Sequence, residues 1–123
     1  MTADRRALGK RGEALAAEYL RQKGYVILER NYHTPYGEID LVAKQGEALV
    51  FVEVKARRSR RYGMPEEAVT ARKRQHLLAA SQAYLQSQPD FDGDWRIDVI
   101  AVEWQQSEQN PCLTHFENAV SQP

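Results

Sequence analysis

Three charged residues stand where the pattern of this sequence asks for a dry sheet interior. Asp40 lies in Gly37-Glu38-Ile39-Asp40-Leu41-Val42, and Glu53 and Lys55 lie in Leu49-Val50-Phe51-Val52-Glu53-Val54-Lys55. Both stretches read as β-strands, and successive side chains on a strand point to opposite faces. Glu53 and Lys55 therefore share one face while Val50, Val52 and Val54 take the other. An isolated charge among Ile, Leu and Val costs several kcal/mol unless it is paired or bound to a metal. Two carboxylates and an ammonium on one patch supply what metal-assisted phosphodiester cleavage needs: oxygen ligands for a hard divalent cation, and a positive charge beside the attacked phosphorus. Glu38 falls on the Asp40 face by the same alternation and is a secondary candidate. The plain alternative for Glu53 and Lys55 alone is a same-face ion pair.

The elements that must position these groups follow from periodicity and punctuation. Asp4 to Lys23 is helical in pattern, and Gly24 supplies a C-terminal stop. On that helix Glu13 shares a stripe with Gly9, Ala16, Ala17 and Leu20, the face that should meet the sheet, so Glu13 either snorkels outward at its edge or joins the polar site. Tyr25 to Tyr32 reads as a strand, His33 to Gly37 as a turn, and about 38–43 and 48–57 as two further strands joined at Gly46. Met64-Pro65-Glu66-Glu67 has the residues of a helix start, and Thr70 is an N-cap for a helix to about Gln86. Lys73 shares a stripe there with Leu77, Ala80 and Tyr84, which brings a second cation to an inner face and makes Lys73 a further secondary candidate. Trp95–Trp104 and Cys112–Asn118 are the last strands. The order α-β-β-β-α-β-β defines an α/β fold: a mixed β-sheet of about five strands flanked by helices, antiparallel at first, with a crossover helix delivering a parallel strand.

A chain of 123 residues suits a single domain. Its start is polar and its longest apolar run is Ala48 to Val52, so neither a signal peptide nor a membrane span is expected and a cytoplasmic location is. Cys112 is the only cysteine. It excludes an intrachain disulfide and a Cys-rich zinc site, and is expected to be a small buried residue with no nucleophilic role. The formal net charge of zero hides a sorting of charge along the chain: residues 55–76 carry 8 basic and 2 acidic side chains, residues 77–123 carry 1 basic and 7 acidic. The basic set, Arg57, Arg58, Arg60, Arg61, Arg72, Lys73 and Arg74, follows directly on the charged strand and reads as a cationic surface for a polyanion; a solvated loop is the plain alternative.

Taken together, Asp40, Glu53-Val54-Lys55 thirteen positions later, and a preceding helix carrying Glu13 resemble the PD-(D/E)xK or restriction-endonuclease-like nucleases. Gly12-Glu13, Gly24-Tyr25, Arg30-Asn31-Tyr32, Gly37-Glu38-Ile39-Asp40-Leu41, Phe51 to Arg57 and Gly63-Met64-Pro65 are similar, more narrowly, to the bacterial YraN-like family, itself similar to archaeal Holliday-junction resolvases. The likeness runs from about Leu8 to Ala119; Ile39 stands where the superfamily's name has a proline. The resemblance implies a restriction-endonuclease-like fold, with Asp40, Glu53 and the Val54 carbonyl holding Mg²⁺ or Mn²⁺, Lys55 serving the attacking water, and Glu13 assisting at the metal. It implies a divalent-metal-dependent DNA endonuclease, acting on branched DNA in recombination, repair or uptake, and a possible homodimer. The competing expectation is a catalytically silent nucleic-acid-binding or protein-interaction module on the same fold.

Overall fold

The computed structural model describes residues 5–58, 70–104 and 110–120. Helix α1 spans Arg5–Gln22 and is followed by strands β1 (Val26–Thr34), β2 (Gly37–Gln45) and β3 (Ala48–Arg57), helix α2 (Ala71–Gln86), and strands β4 (Trp95–Glu103) and β5 (Cys112–Phe116). The element order α-β-β-β-α-β-β is the one the sequence implies. Asp4, Arg60, Arg61 and the Met64–Glu67 helix start lie outside the described residues.

Local chemistry sets these boundaries. Gly24, at φ +94°, ends α1: its N–H bonds the Arg21 carbonyl at 2.9 Å and the Tyr25 N–H bonds the Leu20 carbonyl at 3.0 Å. This left-handed stop satisfies two carbonyls the helix would leave open. Strand β1 runs through Tyr32 as far as Thr34, leaving only Pro35 and Tyr36 in the turn, because the Thr34 hydroxyl accepts the Tyr36 N–H and donates to the Gly37 carbonyl. Gly46, at φ +59°, opens the two-residue turn from β2 to β3. The Thr70 hydroxyl caps α2 by accepting the Lys73 N–H at 3.1 Å.

The five strands form one sheet in the order β1-β2-β3-β4-β5, antiparallel except for the β3–β4 pair. Helix α2 is the crossover that makes this pair parallel. Each helix covers one face. Ala16, Ala17 and Leu20 of α1 pack over Leu41, Val50, Val52, Ile100 and Val102, while Leu77, Ala80 and Tyr84 of α2 pack over Ile39, Val42, Phe51, Ile97 and Val99. The contact between α1 and β3 is close enough at Gly12 that a Cβ there would stand 2.8 Å from the Ala56 Cβ. Cys112 departs from its expected burial: it is exposed, because it opens the outermost strand of the sheet, which no further element among the described residues covers.

Candidate active site

The β2–β3 ladder ends at the Leu41–Val52 pair, five residues short of the C-terminal end of β3. Beyond that point β2 separates from β3, and Asp40 bridges the gap: its Oδ2 accepts the Val54 N–H at 2.8 Å. A side-chain carboxylate thus replaces the backbone partner that an unbroken ladder would give. Asp40 and Glu53 face each other across this opening. Burial first, and then the nearby Glu53 charge, pushes the Asp40 carboxyl up to about 8, against the lowering effect of the Val54 N–H.

Glu53 reaches the site from the α2 side of β3, with its side chain only 5% exposed. Its Oε2 receives two ammonium groups, Lys55 Nζ from the same strand face and Lys73 Nζ from the first turn of α2, each at 3.4 Å. Its Oε1 is buried and has no hydrogen-bond partner among the described residues. The two lysines share the side chain's charge while the inner oxygen remains unsatisfied. Lys73 therefore belongs to this cluster and not to an open cationic surface.

Glu13 approaches from α1. It is half-buried, and an Asn31 amide turned with its nitrogen toward the acids donates to both Glu13 Oε1 and Glu38 Oε1 at 3.1 Å. Burial is the main reason its carboxyl lies above the usual range; the Asn31 bond opposes this, and the Glu38 and Glu53 charges add to it. Glu38 also stands 3.3 Å from His33 Nδ1. Glu13 and Glu38 thus flank the Asp40–Glu53 pair, joined to each other through Asn31. Among the described residues no group of three or more His, Cys, Asp and Glu side chains is disposed to hold a metal ion. A metal at this point would rest on Asp40 and Glu53 with backbone oxygen and water. The donor set suits a hard cation such as Mg²⁺, which takes one or two carboxylates and keeps several waters. The orphaned Glu53 Oε1 supplies an acceptor for it.

The basic residues are not equivalent. Arg58, Arg72 and Arg74 are exposed, whereas Arg57 is half-buried and its Nη1 is enclosed without a hydrogen-bond partner among the described residues. Arg57 thus departs from the expected open surface. It is the last residue of β3, pairs in register with Glu103 on β4, and its carbonyl accepts the Trp104 N–H at 3.0 Å.

A second polar cluster was not anticipated from the sequence. Asp98 on β4, with no exposed surface, accepts from Arg96 Nε at 2.9 Å and Nη2 at 3.2 Å, from the Asn118 N–H at 2.9 Å, and meets His115 Nε2 at 2.7 Å. Arg96 also donates to Tyr25 Oη and Gln45 Oε1, and His115 Nδ1 meets Tyr19 Oη. Burial alone would raise the Asp98 carboxyl, but the bonds from His115, Arg96 and Asn118, with the Arg96 charge, hold it below its ordinary value. Every Asp98 oxygen is satisfied, so the cluster clamps α1, β4 and β5 together. The only signal in the sequence was the Arg96-x-Asp98 alternation on one strand face.

The molecule is thus a mixed α/β protein whose sheet opens between two strands around a pair of carboxylates, Glu53 buried and Asp40 half-buried, with lysines from β3 and α2 beside them. It belongs to Uncharacterised protein family UPF0102, whose pattern matches residues 12–102. It is 57% identical over 97 residues to a UPF0102 protein of Syntrophomonas wolfei, an alignment that covers 79% of this chain and 84% of that one. It is also 43% identical over 122 residues to a UPF0102 protein of Dehalococcoides mccartyi, covering 99% of each chain. A third relative, from Herpetosiphon aurantiacus, is 45% identical over 121 residues, 95% of this chain and 96% of its own.

Proposed function

We propose that this protein is a divalent-metal-dependent nuclease that hydrolyses phosphodiester bonds in DNA, with Asp40 and Glu53 holding Mg²⁺ or Mn²⁺ and the Val54 carbonyl adjoining them. The observation that carries the reading is the Asp40–Glu53 pair itself: two crowded carboxylates, one with a buried unpartnered oxygen and the other pushed up to about 8. A purely structural ion pair has no use for that arrangement, because burying like charges together destabilises the fold. When bound, a divalent cation supplies charge to the phosphoryl oxygens and lowers the pKa of a coordinated water. Asp40 is aimed by the Val54 N–H and Glu53 by its strand, so the ligands keep their direction without reorganisation. Lys55, 26% exposed at the rim, is the group that orients or deprotonates the attacking water and steadies charge on the phosphorus. Lys73 stands on the opposite flank of Glu53, within reach of an anionic substrate.

Exposed Arg58, Arg72 and Arg74 support a polyanionic substrate held by its backbone. A branched DNA is the substrate this reading favours, since it brings several backbones to one site; a second copy of the chain would serve a second strand. A cytoplasmic setting belongs to the same reading. Among the described residues no helix is long and apolar enough to cross a membrane. The test is cleavage of end-labelled linear and four-way DNA with Mg²⁺ or Mn²⁺, alongside calorimetric titration with Mn²⁺. Cleavage that disappears in Asp40→Asn supports the reading. A wild-type protein that neither binds Mn²⁺ nor cuts any of these substrates overturns it, and leaves a silent binding module.

A further inference from the structure

A groove lies between the N-terminal half of α1 and the β1–β2 hairpin, a cavity of about 290 Å³ lined by Arg6, Gly9, Lys10, Glu13, Asn31 and Glu38. Four of these residues come from one face of α1, at the i, i+3, i+4 and i+7 spacing that puts side chains in a row. Gly9 is the informative one. Glycine inside a helix is destabilising relative to alanine, because more backbone freedom is lost on folding. At Gly12 the close approach of Ala56 explains it, but among the described residues a Cβ at Gly9 would meet nothing within 4 Å. No contact among the described residues asks for a glycine there; what glycine does is leave the helix backbone bare at the floor of the groove.

The walls of the groove differ in charge. Lys10 is exposed on the α1 side together with Arg6, while Glu13 and Glu38 stand on the inner side, bridged by the Asn31 amide. An anion is attracted to the first wall and repelled from the second, so it is confined to the notch over Gly9. Glu13 also joins the groove to the metal-ligand pair, since its charge acts on both Asp40 and Glu53.

We propose that this groove seats a phosphodiester of the nucleic-acid strand flanking the cut site, with Gly9 as its floor and Lys10 and Arg6 as its cationic wall. The inference rests on the nuclease reading above and adds a contact on the face of the sheet opposite α2. It assigns α1 a part in substrate binding separate from the basic residues around α2.

The experiment compares Gly9→Ala and Lys10→Ala with the wild-type chain in three measurements: thermal melting, Mn²⁺ titration, and anisotropy with labelled duplex and four-way DNA over a range of salt. Gly9→Ala should melt at a higher temperature yet bind DNA at least about fivefold more weakly, a pair of changes that a purely structural glycine would not give. Lys10→Ala should reduce the slope of log K against log salt by about 1, with Mn²⁺ affinity unchanged. If the wild-type chain binds DNA and both variants match it in affinity and salt slope, the groove is not a phosphate seat and the nuclease reading stands without it. If the wild-type chain binds neither Mn²⁺ nor DNA, both fail together.

Discussion

Asp40 Oδ2 accepts the Val54 N–H at 2.8 Å just beyond the last β2–β3 backbone pair, Leu41 with Val52. The carboxyl group is therefore the acceptor that satisfies β3 where β2 has moved away, a role distinct from the metal-ligand role proposed for it. Replacing Asp40 by Asn or by Ala separates these roles.

Asp40→Asn keeps an acceptor for Val54 and stays neutral at every pH, so the metal-free variant should be more stable than wild type above about pH 8, where Asp40 would ionise beside Glu53. Asp40→Ala leaves a buried N–H unpaired and should be less stable than Asn by about 1–3 kcal/mol. Both should lose Mn²⁺ binding. Urea melts with calorimetry on the two variants would check this, and Mn²⁺ affinity unchanged in both would sink the site assignment.

Stability of the metal-free protein should fall with rising pH. Asp40 titrates near its ordinary 3.8 when unfolded but at about 8 when folded, so between those values the folded state binds more protons than the unfolded one. Stability is then fullest below the unfolded value and declines through the folded one, by up to about 1.4 kcal/mol per pH unit in between. Melting at pH 5 and pH 8 should show the decline in wild type, a smaller one with saturating Mn²⁺, and its disappearance in Asp40→Asn. Identical pH profiles for wild type and Asp40→Asn would show that Asp40 is ionised at neutral pH.

Lys55 and Lys73 meet the same Glu53 oxygen but should differ in function. Lys55→Ala should slow single-turnover cleavage by something on the order of 10²-fold or more while metal and DNA still bind. Lys73 is 37% exposed, and as a partly solvated cation it would compete only weakly with a metal for Glu53. Lys73→Ala should tighten Mn²⁺ binding about two- to fivefold, the range of an exposed ion pair. A loss of Mn²⁺ affinity in Lys73→Ala would mean that Lys73 positions Glu53 and does not compete for it.

The α1 stop, the two hairpins, the Thr70 cap and the convergence of Asp40, Glu53, Lys55 and Lys73 were legible because each rests on local spacing: a glycine after a periodic run, a charge on a known strand face, a lysine on an apolar stripe. The Asp98 cluster was not, although Arg96 and Asp98 alternate much as Glu53 and Lys55 do. Its other members arrive through tertiary folding, His115 from 17 residues away and Tyr19 from 96 residues before His115. Without them Arg96-x-Asp98 reads as the edge of an apolar strand. The Asn31 bridge between Glu13 and Glu38 was hidden for the same reason. It depends on Asn31 holding a left-handed φ of +52° opposite Asp40, which alternation does not reveal.

Asp98→Ala should behave in the opposite way to Asp40→Asn. It removes the carboxylate that neutralises Arg96 and satisfies His115 and the Asn118 N–H, and breaking a buried pair from one side costs about 3–5 kcal/mol. Mn²⁺ binding by the folded fraction should be unaffected, because none of the Asp98 partners touches Asp40 or Glu53. The lowered Asp98 value adds a pH signature: its contribution is complete above its unfolded value of 3.8 and is lost as pH falls through the lower folded value. Denaturant midpoints for wild type and Asp98→Ala would show it. Equal midpoints would mean that Arg96 finds other partners.

The basic residues should hold phosphate without reading bases: exposed Arg58 follows the end of β3 and exposed Arg72 and Arg74 sit in the first turn of α2, long cations at a strand end and a helix start that suit contacts to the nucleic-acid backbone. DNA affinity should therefore fall steeply with salt, and each phosphate contact removed should flatten the log–log slope by about 0.9 for duplex DNA. The structure ranks the contributors. Arg58, Arg72 and Arg74 are exposed and should each matter, and Arg60 and Arg61 extend the same run in sequence. Arg57, half-buried at the end of β3, should leave the slope nearly unchanged and lower the melting temperature instead, through lost packing of its stem. Anisotropy titrations at several salt concentrations, with melting on the same samples, would separate Arg57→Ala from Arg58→Ala and Arg72→Ala. A slope change for Arg57→Ala as large as for Arg58→Ala would place the Arg57 guanidinium on the DNA after all. No change for any of these variants would move the backbone contact away from α2 altogether.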